Sequence, residues 1–353
     1  MPSPRTTVTT ALTDDGQTWP VIDITHPAFV REPTDLDLEA SATTFFAEAE
    51  RRARIPRFIH RLLLRIVLRK SLLGPGLLAA SGGFVTGLNT YLLKLGPDNL
   101  PDGASAIDRR IAESFPAIST QLRLKDIARL LAEDLAARLV PRDGRPVVLI
   151  NIAGGPAADS LNALILLRQA RPELIADRRV EVRILDQDAH GPSFAARCAA
   201  VLTCGDGPLA GLDLRVTHVL YDWRQTDGLR KALDEASAAR ALVAISSEGG
   251  LFEYGSDADI VANLQVITER ASGDTCVAGS VTRGDGPGRA AQAATNIRVI
   301  PRSLEQFGAL AAGAGWRIDR AITRPFSFDV RLRRKEETGL LVAAGRPSSP
   351  GPS

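Results

Sequence analysis

The sequence predicts an α/β fold: a doubly wound, seven-stranded, mostly parallel sheet with an antiparallel last strand, preceded by an all-helical N-terminal region. Two observations lead to this prediction. Short apolar runs alternate with helical stretches after residue 141, and the two closing runs, 316–322 and 326–334, are separated by only three residues. Because a parallel connection needs about a dozen residues or more, the closing runs must form an antiparallel hairpin.

The alternation also gives the bounds of the elements. Strands are predicted at 147–153, 180–186, 214–222, 241–247, 275–281, 316–322 and 326–334, and helices at 158–170, 192–202, 226–238, 257–271 and 302–314. Apolar residues recur at helical spacing over 84–95, 104–115 and 122–139. We divide the chain into a flexible arm (1–36), a helical cap that selects the substrate (37–140), a ligand-binding sheet domain (141–335) and a tail with a disordered end (336–353).

Composition narrows the function. The chain has 353 residues, 44% of them hydrophobic, which is enough for one large domain and an appendage. A formal net charge of +2 argues against a nucleic-acid partner. The three cysteines form no CxxC pair, so we expect neither a disulfide framework nor a metal site. No signal peptide and no membrane-spanning apolar run is visible, which predicts a cytoplasmic protein.

The stretch 146-PVVLINIAGGPAADSLNAL-164 has the strand, glycine turn and helix of a nucleotide site. A phosphate loop of the GxxxxGK[ST] type is excluded, because no lysine follows the two glycines. The dinucleotide pattern GxGxxG fits in neither register, and Asp159 would face a pyrophosphate at the helix N-terminus, which disfavours NAD and FAD. S-adenosylmethionine, which carries an adenosine without phosphates, is compatible with Asp159.

Residues 146–334 resemble the class I S-adenosylmethionine-dependent methyltransferases, especially the small-molecule enzymes. That family has seven strands with the last pair antiparallel, and its first strand ends in (D/E)-x-G-x-G-x-G. Here Asn151 takes the acidic place and Ala153, Gly155 and Ala157 take the glycine places. We expect both alanines to have ordinary φ angles. The resemblance implies that the methyl donor contacts this turn, at Asn151, Ala153, Gly154 and Gly155.

The resemblance also assigns the ends of the next two strands. In similar enzymes an acid at the end of the second strand accepts hydrogen bonds from both ribose hydroxyls; here this is Asp186, with Gln187 beside it and Asp188 as a weaker candidate. The alternative is that Asp186 caps the following helix. After the third strand, Asp222 and Trp223 would contact the adenine amino group and ring, unless Trp223 is a core residue.

The fourth strand leads into 243-VAISSEGGLFEYGSDADIVANL-264, which brings polar groups to the carboxyl edge of the sheet. Ligands bind at that edge in open α/β folds. Ser246, Ser247 and Glu248 are candidates to contact the methionine end of the donor or the acceptor, and Glu248 is the best-placed general base. The ring of Tyr254 could attract the sulfonium.

Two aromatic residues and two histidines in this half of the chain have competing interpretations. Phe252 would wall the acceptor site, unless Phe252 and Tyr254 are core residues before a helix capped by Ser256. His190 would lie closer to the ribose than to the methyl group, and His218, in mid-strand, is expected to be buried. Neither histidine is therefore an obvious base.

The resemblance implies that the N-terminal helices cover the pocket and select the acceptor, with Asn89, Tyr91 and Arg123 as candidate contacts. Each of the three is individually more consistent with a structural role. An arginine stripe in 53-ARIPRFIHRLLLRIVLRK-70 allows either a helix on an anionic membrane surface or a lid helix with solvated arginines. We favour the lid.

The sequence thus predicts an S-adenosylmethionine-dependent methyltransferase that acts on a small molecule by in-line transfer, with oxygen as the favoured acceptor atom by family analogy alone. A protein or nucleic-acid methyltransferase is disfavoured, because no (N/D/S)-P-P-(Y/F) signature follows strand four. A non-catalytic module with the same fold stays open. The expected partner is a small-molecule acceptor, with no nucleic acid and no membrane surface, and a homo-oligomer is left open.

Overall fold

A computed structural model describes residues 7–30, 32–53, 68, 71–79, 83–285 and 297–335. Its strands are β1 (Thr10–Leu12), β2 (Thr18–Pro20), β3 (Val147–Ile152), β4 (Arg179–Asp186), β5 (Asp213–Leu220), β6 (Leu242–Ser247), β7 (Cys276–Thr282), β8 (Trp316–Thr323) and β9 (Ser327–Arg334). The first two form a hairpin of their own, and the other seven form one sheet.

The helices fall into two groups along the chain. Before the sheet lie α1 (Asp35–Ala53), α2 (Gly74–Ala79), α3 (Gly87–Lys94), α4 (Ala106–Ala112) and α5 (Phe115–Arg138). Between the strands lie α6 (Ala158–Ala170), α7 (His190–Thr203), α8 (Asp227–Ala238), α9 (Leu251–Tyr254), α10 (Asp257–Arg270) and α11 (Leu304–Gly313). The described part of 37–140 contains helices and no strand, as predicted.

The sheet has the strand order β5-β4-β3-β6-β7-β9-β8. Strands β3 to β7 pair in parallel, whereas β9 runs antiparallel to both β7 and β8. The predicted fold class is confirmed, including the closing hairpin. The chain moves outward from β3 to β5 and then returns to β6, so the order reverses between β3 and β6. Ligand crevices in open α/β sheets form at such a reversal, outside the carboxyl ends of the strands.

The central strands are apolar because helices cover both of their faces. Every residue of β3 and β6 is buried. One face packs against α5, α6 and α7, and the other against α8, α10 and α11. The edge strand β5 is only partly covered, and its residues alternate between half-buried and exposed. The sheet therefore fixes the carboxyl ends of β3 and β6 rigidly in the interior.

The prediction of a flexible arm over 1–36 is wrong for the described residues before Val30. Trp19, Val21 and Ile22 are buried, and the indole of Trp19 packs edge-on against Phe194, with ring centroids 5.6 Å apart. The backbone N–H of Ile24 donates to Asn162 Oδ1 of α6 at 2.8 Å. This segment shows no periodicity because distant side chains, rather than a regular helix or a long strand, hold it in place.

Three expectations lie wholly or largely outside the described residues. The arginine stripe falls on 54–67 and 69–70, the tail on 336–353, and the start of the arm on 1–6. The other domain boundaries stay predictions. Among the residues that the structure describes, none of the helices combines the length and apolarity needed to cross a bilayer.

Candidate functional site

The turn after β3 is strained at two residues that are not glycine. Ala153 and Ala157 have φ angles of 56° and 49°, and Gly155 between them has a φ of 53°. The expectation of ordinary φ angles at the alanines is therefore wrong. A left-handed conformation costs an L-residue about 1–2 kcal/mol. The turn keeps the backbone shape that a glycine pattern would favour, and it is held there by a bond of 2.8 Å from the Ala153 N–H to the Leu185 carbonyl.

Three glycines from separate elements meet at this turn. A Cβ atom on Gly155 would lie 2.6 Å from Cα of Gly87, the first residue of α3. A Cβ on Gly191, near the start of α7, would lie 2.8 Å from Cα of Gly155. Both distances are shorter than real Cβ contacts allow, so the backbones touch only because side chains are lacking. The cap thus rests directly on the turn. Sequence reasoning missed Gly87, whose only signal is a glycine just after the capping residue Thr86.

Asp186 stands at the end of β4, as predicted, beside the turn. Its Oδ2 accepts from the N–H of Gly155 at 3.0 Å, and its Oδ1 accepts from the N–H of Asp188 at 2.9 Å. Burial raises the pKa of this half-buried carboxyl. It does not cap α7, because the His190 N–H donates to Asp188 instead, at 3.0 Å. Gln187 is exposed.

The two histidines are both on the outside of the molecule. His190 lies at the start of α7, where its Nδ1 bonds to Asp14 of the hairpin at 2.8 Å. His218 is exposed rather than buried, because β5 is an edge strand. Its Nε2 lies 2.9 Å from the backbone carbonyl of Asp186. Within the part of the chain that the structure describes, neither ring forms a hydrogen bond with the Glu248 carboxylate.

Asn151 is fully buried and turned inward. Its Nδ2 donates to Asp159 Oδ1 at 2.7 Å, to Ser246 Oγ at 3.0 Å and to Ser160 Oγ at 3.2 Å. Its Oδ1 packs closely against Gly154, since a Cβ atom on Gly154 would lie only 1.8 Å from this oxygen. Burial raises the pKa of Asp159. Asn151 and Ser246, which we predicted to contact the methyl donor, therefore belong to one buried polar network behind the turn.

An aromatic cluster of Trp223, Phe84 and Tyr254 spans the ends of β5 and β6. The Phe84 ring lies edge-on to both neighbours, with centroids 6.3 Å from Trp223 and 5.0 Å from Tyr254. Phe84 precedes α3 in the N-terminal helical region, and its side chain is 58% exposed. Burial raises the pKa of Tyr254. Next to the cluster, Asp222 is held by the Arg224 guanidinium at 2.9 and 3.0 Å, and this bond lowers the pKa of Asp222.

A buried ion network lies at the carboxyl end of β6, the strand beside β3 where the strand order reverses. Glu248 follows β6 and pairs with both Lys94 of α3 and Arg123 of α5. The Arg123 guanidinium also donates to Glu253 at 2.8 and 3.0 Å. Burial alone would raise the pKa of Glu248, but the two cations hold it below its ordinary value. A carboxylate in this state is a poor proton acceptor, so Glu248 could serve as a base only after a cation leaves.

Ser247 and Ser256 shape the segment after β6. Ser247 Oγ donates to the carbonyl of Ile152 at 3.2 Å and accepts from the N–H of Leu251 at 2.8 Å, which fixes the start of α9. Ser256 caps α10 through a capping box with Asp259, as the competing interpretation predicted. Both serines therefore hold local backbone in this conformation.

Of the predicted acceptor contacts, Arg123 alone joins the ion network among the described residues. The Tyr91 hydroxyl donates to the Pro20 carbonyl at 2.8 Å and accepts from the Ile22 N–H at 2.9 Å. Asn89 Nδ2 donates to Thr86 Oγ1 at 2.8 Å. Phe252 is a core residue, packed edge-on against Phe307 at 4.9 Å. Sequence reasoning missed Lys94 and Glu253, although each is a single charge inside an apolar run.

The strand order, the antiparallel β9 and a glycine-containing turn at the reversal point decide the fold. This topology is the one that the resemblance to the class I methyltransferases implies. No protein-family model and no curated protein matches the chain. A possible exported protein from Bordetella parapertussis has a similar structure, with a TM-score of 0.56, 18% identity, and 87% of this chain and 98% of that chain covered.

Two methyltransferases are more distantly similar. A mitomycin 7-O-methyltransferase has a TM-score of 0.40 and 14% identity, with 80% of this chain and 74% of that chain covered. The magnesium protoporphyrin IX methyltransferase of Synechocystis, solved with bound S-adenosylhomocysteine, has a TM-score of 0.40 and 13% identity, with 63% of this chain and 88% of that chain covered.

Proposed function

We propose that the protein is an S-adenosylmethionine-dependent methyltransferase that acts on a small molecule. The observation that carries the proposal is the half-buried Asp186 carboxylate, which lies beside the Gly155 N–H at the carboxyl edge of the sheet. Its hydrogen bonds to protein groups come from two backbone N–H groups. A carboxylate can accept about four hydrogen bonds, so it can still receive a ribose diol.

The residues around the turn fit an adenosine ligand on one condition. The backbone of Gly87 covers Gly155, so the start of α3 has to move before a ligand can reach the turn. This contact contains no side-chain packing from either glycine, which favours such a movement. Asp186 would then hold the ribose, and Trp223 and Tyr254 offer ring faces to the adenine and the sulfonium. When bound, the donor supplies a methyl group activated by its sulfonium leaving group.

Movement of α3 would also change Glu248. Lys94, which pairs with Glu248, is the last residue of the same helix. If Lys94 withdraws, Glu248 keeps only Arg123, and its affinity for a proton rises. Glu248 then becomes the proton acceptor for a neutral hydroxyl, and Arg123 holds it in place. Oxygen as the acceptor atom and the cytoplasm as the place of action are parts of this proposal.

Isothermal titration calorimetry with S-adenosylmethionine and S-adenosylhomocysteine tests the donor site. We expect saturable binding to the parent, a large loss of affinity in Asp186→Ala and parent-like binding in Asp206→Ala, an exposed carboxylate elsewhere on the surface. If Asp186→Ala binds like the parent, the assignment of the ribose site is wrong. A mass increase of one methyl group in a panel of acceptors would then identify the substrate.

A non-catalytic module with the same fold is the second candidate. It is favoured by the contact between Gly87 and Gly155 and by the inward-facing Asn151. Gly87→Ala separates the two candidates, because the added Cβ pushes α3 off the turn. If neither the parent nor Gly87→Ala binds donor or product, the methyltransferase proposal fails and the module remains.

A further inference from the structure

A groove of about 610 Å³ lies at the amino edge of the sheet, on the side opposite the turn. It is formed by the loop before β3, the end of α8 and the end of α10. Small-molecule pockets have volumes of roughly 300–1,000 Å³, so the groove has room for a ligand. Nothing in the proposed methyltransferase function uses this edge.

The most unusual residue of the groove is Arg240. The N–H of Arg240 bonds to the Ser237 carbonyl and the N–H of Ala241 bonds to the Ala236 carbonyl, each at 2.9 Å. A helix that ends in these two bonds usually has glycine at its left-handed position. Here that position is occupied by Arg240, with a φ of 51°. Its guanidinium is exposed and forms no hydrogen bond or ion pair with the described residues. Backbone strain of this kind is concentrated at functional sites, which makes Arg240 a candidate binding residue.

The other charges around the groove leave it cationic. Arg145 holds the turn itself, since its Nε donates to the Arg240 carbonyl at 3.1 Å and its Nη2 to the Ala241 carbonyl at 3.3 Å. Among the described residues, Arg270 pairs only with Asp234, through a long and exposed contact of 3.5 Å. The lining acid, Asp143, is neutralised by Arg178. Two guanidinium groups, those of Arg240 and Arg270, are therefore available to a ligand.

We propose that this groove binds a phosphorylated small molecule. A phosphate monoester has three terminal oxygens and a double charge, so it can accept forked hydrogen bonds from two guanidinium groups at once. A single carboxylate has one charge and two oxygens, so it matches two guanidinium groups less well in charge and shape. Leu233, Val243 and Pro146 line the groove and give apolar contact to the organic part. This site is independent of the methyl-donor site.

Calorimetry at low salt with phenyl phosphate and inorganic phosphate tests the proposal, with phenol as the uncharged comparison. We expect saturable binding of phenyl phosphate that weakens with added salt, and no binding of phenol. Arg240→Gly and Arg270→Gln should each lower the affinity about tenfold, since each removes a charged hydrogen-bond donor. Arg230→Gln is the matched control, because Arg230 lies on α8 but pairs with Glu269 outside the groove.

Arg240→Gly also gives a readout that separates function from folding. Because glycine relieves the left-handed strain, the variant should be more stable than the parent while it binds less, with an unfolding constant about fivefold lower. The absence of saturable binding to either phosphate probe would overturn the proposal. So would unchanged affinity in Arg240→Gly and Arg270→Gln, or an equal loss in Arg230→Gln.

Discussion

The two ends of α3 attach the cap to the sheet domain in different ways. At Gly87 the contact is backbone against backbone, on Gly155 of the turn. At Lys94 it is a buried ion pair with Glu248, shared with Arg123. Opening a glycine contact exposes little apolar surface, whereas breaking part of a buried ion network leaves a charge uncompensated. The helix is thus held loosely over the predicted donor site and firmly at the predicted base.

The largest effect is expected when the ion network at the Lys94 end of α3 is broken. Arg123→Met leaves Glu248 and Glu253 buried with Lys94 as their only neighbouring cation in the described network, which should destabilise the fold by about 3–5 kcal/mol. Urea denaturation measures the loss. Arg110→Met is the control, since its pair with Glu48 is exposed and worth at most about 1 kcal/mol. Equal losses in the free energy of unfolding of the two variants would show that the buried network stabilises the fold no more than an exposed ion pair.

The loose end is tested by adding one methyl group. Gly87→Ala places a Cβ 2.6 Å from Gly155 Cα and should destabilise the closed form by about 1–3 kcal/mol. Because a donor competes with Gly87 for the turn, S-adenosylhomocysteine should bind this variant more tightly than the parent. Gly273→Ala, which meets no atom within 4 Å, is the control. Weaker binding to Gly87→Ala would contradict the competition.

A smaller effect comes from the turn beneath Gly87. Ala153→Gly relieves a φ of 56° but adds freedom to the unfolded chain, so we expect a net stabilisation of about 0.5–1 kcal/mol. Thermal denaturation should show a higher melting temperature. The same substitution at Ala196, exposed in the middle of α7, should instead destabilise by about 1 kcal/mol. A destabilisation in both variants would mean that the turn is not strained.

The smallest effect concerns the hairpin, a third and exposed attachment. The hydrogen bond that His190 donates to Asp14 raises the pKa of His190 above its ordinary value, and bonds from His190, Arg197 and Ser193 lower the pKa of Asp14 from 3.8 to about 2. The contact therefore stabilises the hairpin in the range where Asp14 is ionised and His190 is protonated. That stability is lost as the pH rises through the His190 pKa, or falls through that of Asp14.

Hydrogen exchange measures this pH dependence directly. Amides of residues 10–20 should exchange faster at about pH 8 than at about pH 6, beyond the intrinsic change in exchange rate. In His190→Gln this additional increase in exchange rate between pH 6 and pH 8 should disappear, while amides of β3 should show none in either protein. An excess that persists in the variant would assign the pH dependence to another group.

The sheet was predictable from the sequence because its physical signal is local. The runs 147–152 and 242–247 are apolar since both faces of these strands are covered, and Asp186 stands out as the acid that ends such a run. Helix starts were also visible, as at Ser256, because capping uses residues close in sequence. Each of these signals is contained within about ten residues.

The site was less predictable because its partners are far apart in the chain. Lys94 and Glu248 are separated by 154 positions, so neither residue reveals the other. The φ angle of Ala153 is imposed by the surrounding fold, and alanine itself gives no sign of it. Glu248 was correctly placed at the edge of the sheet, but its engagement by two cations could not be read from its neighbours.

The anchoring of residues 20–24 has a consequence for how the chain acquires its fold. Ile24 bonds to Asn162, which lies 138 residues later, and Ile22 bonds to Tyr91. At roughly 5–20 residues per second, a ribosome needs about 7–28 s to make the intervening chain. During that time buried residues such as Trp19 and Val21 have no surface to dock on. We therefore expect the hairpin to dock only after α6 and α7 have been made, and to be a target for chaperones until then.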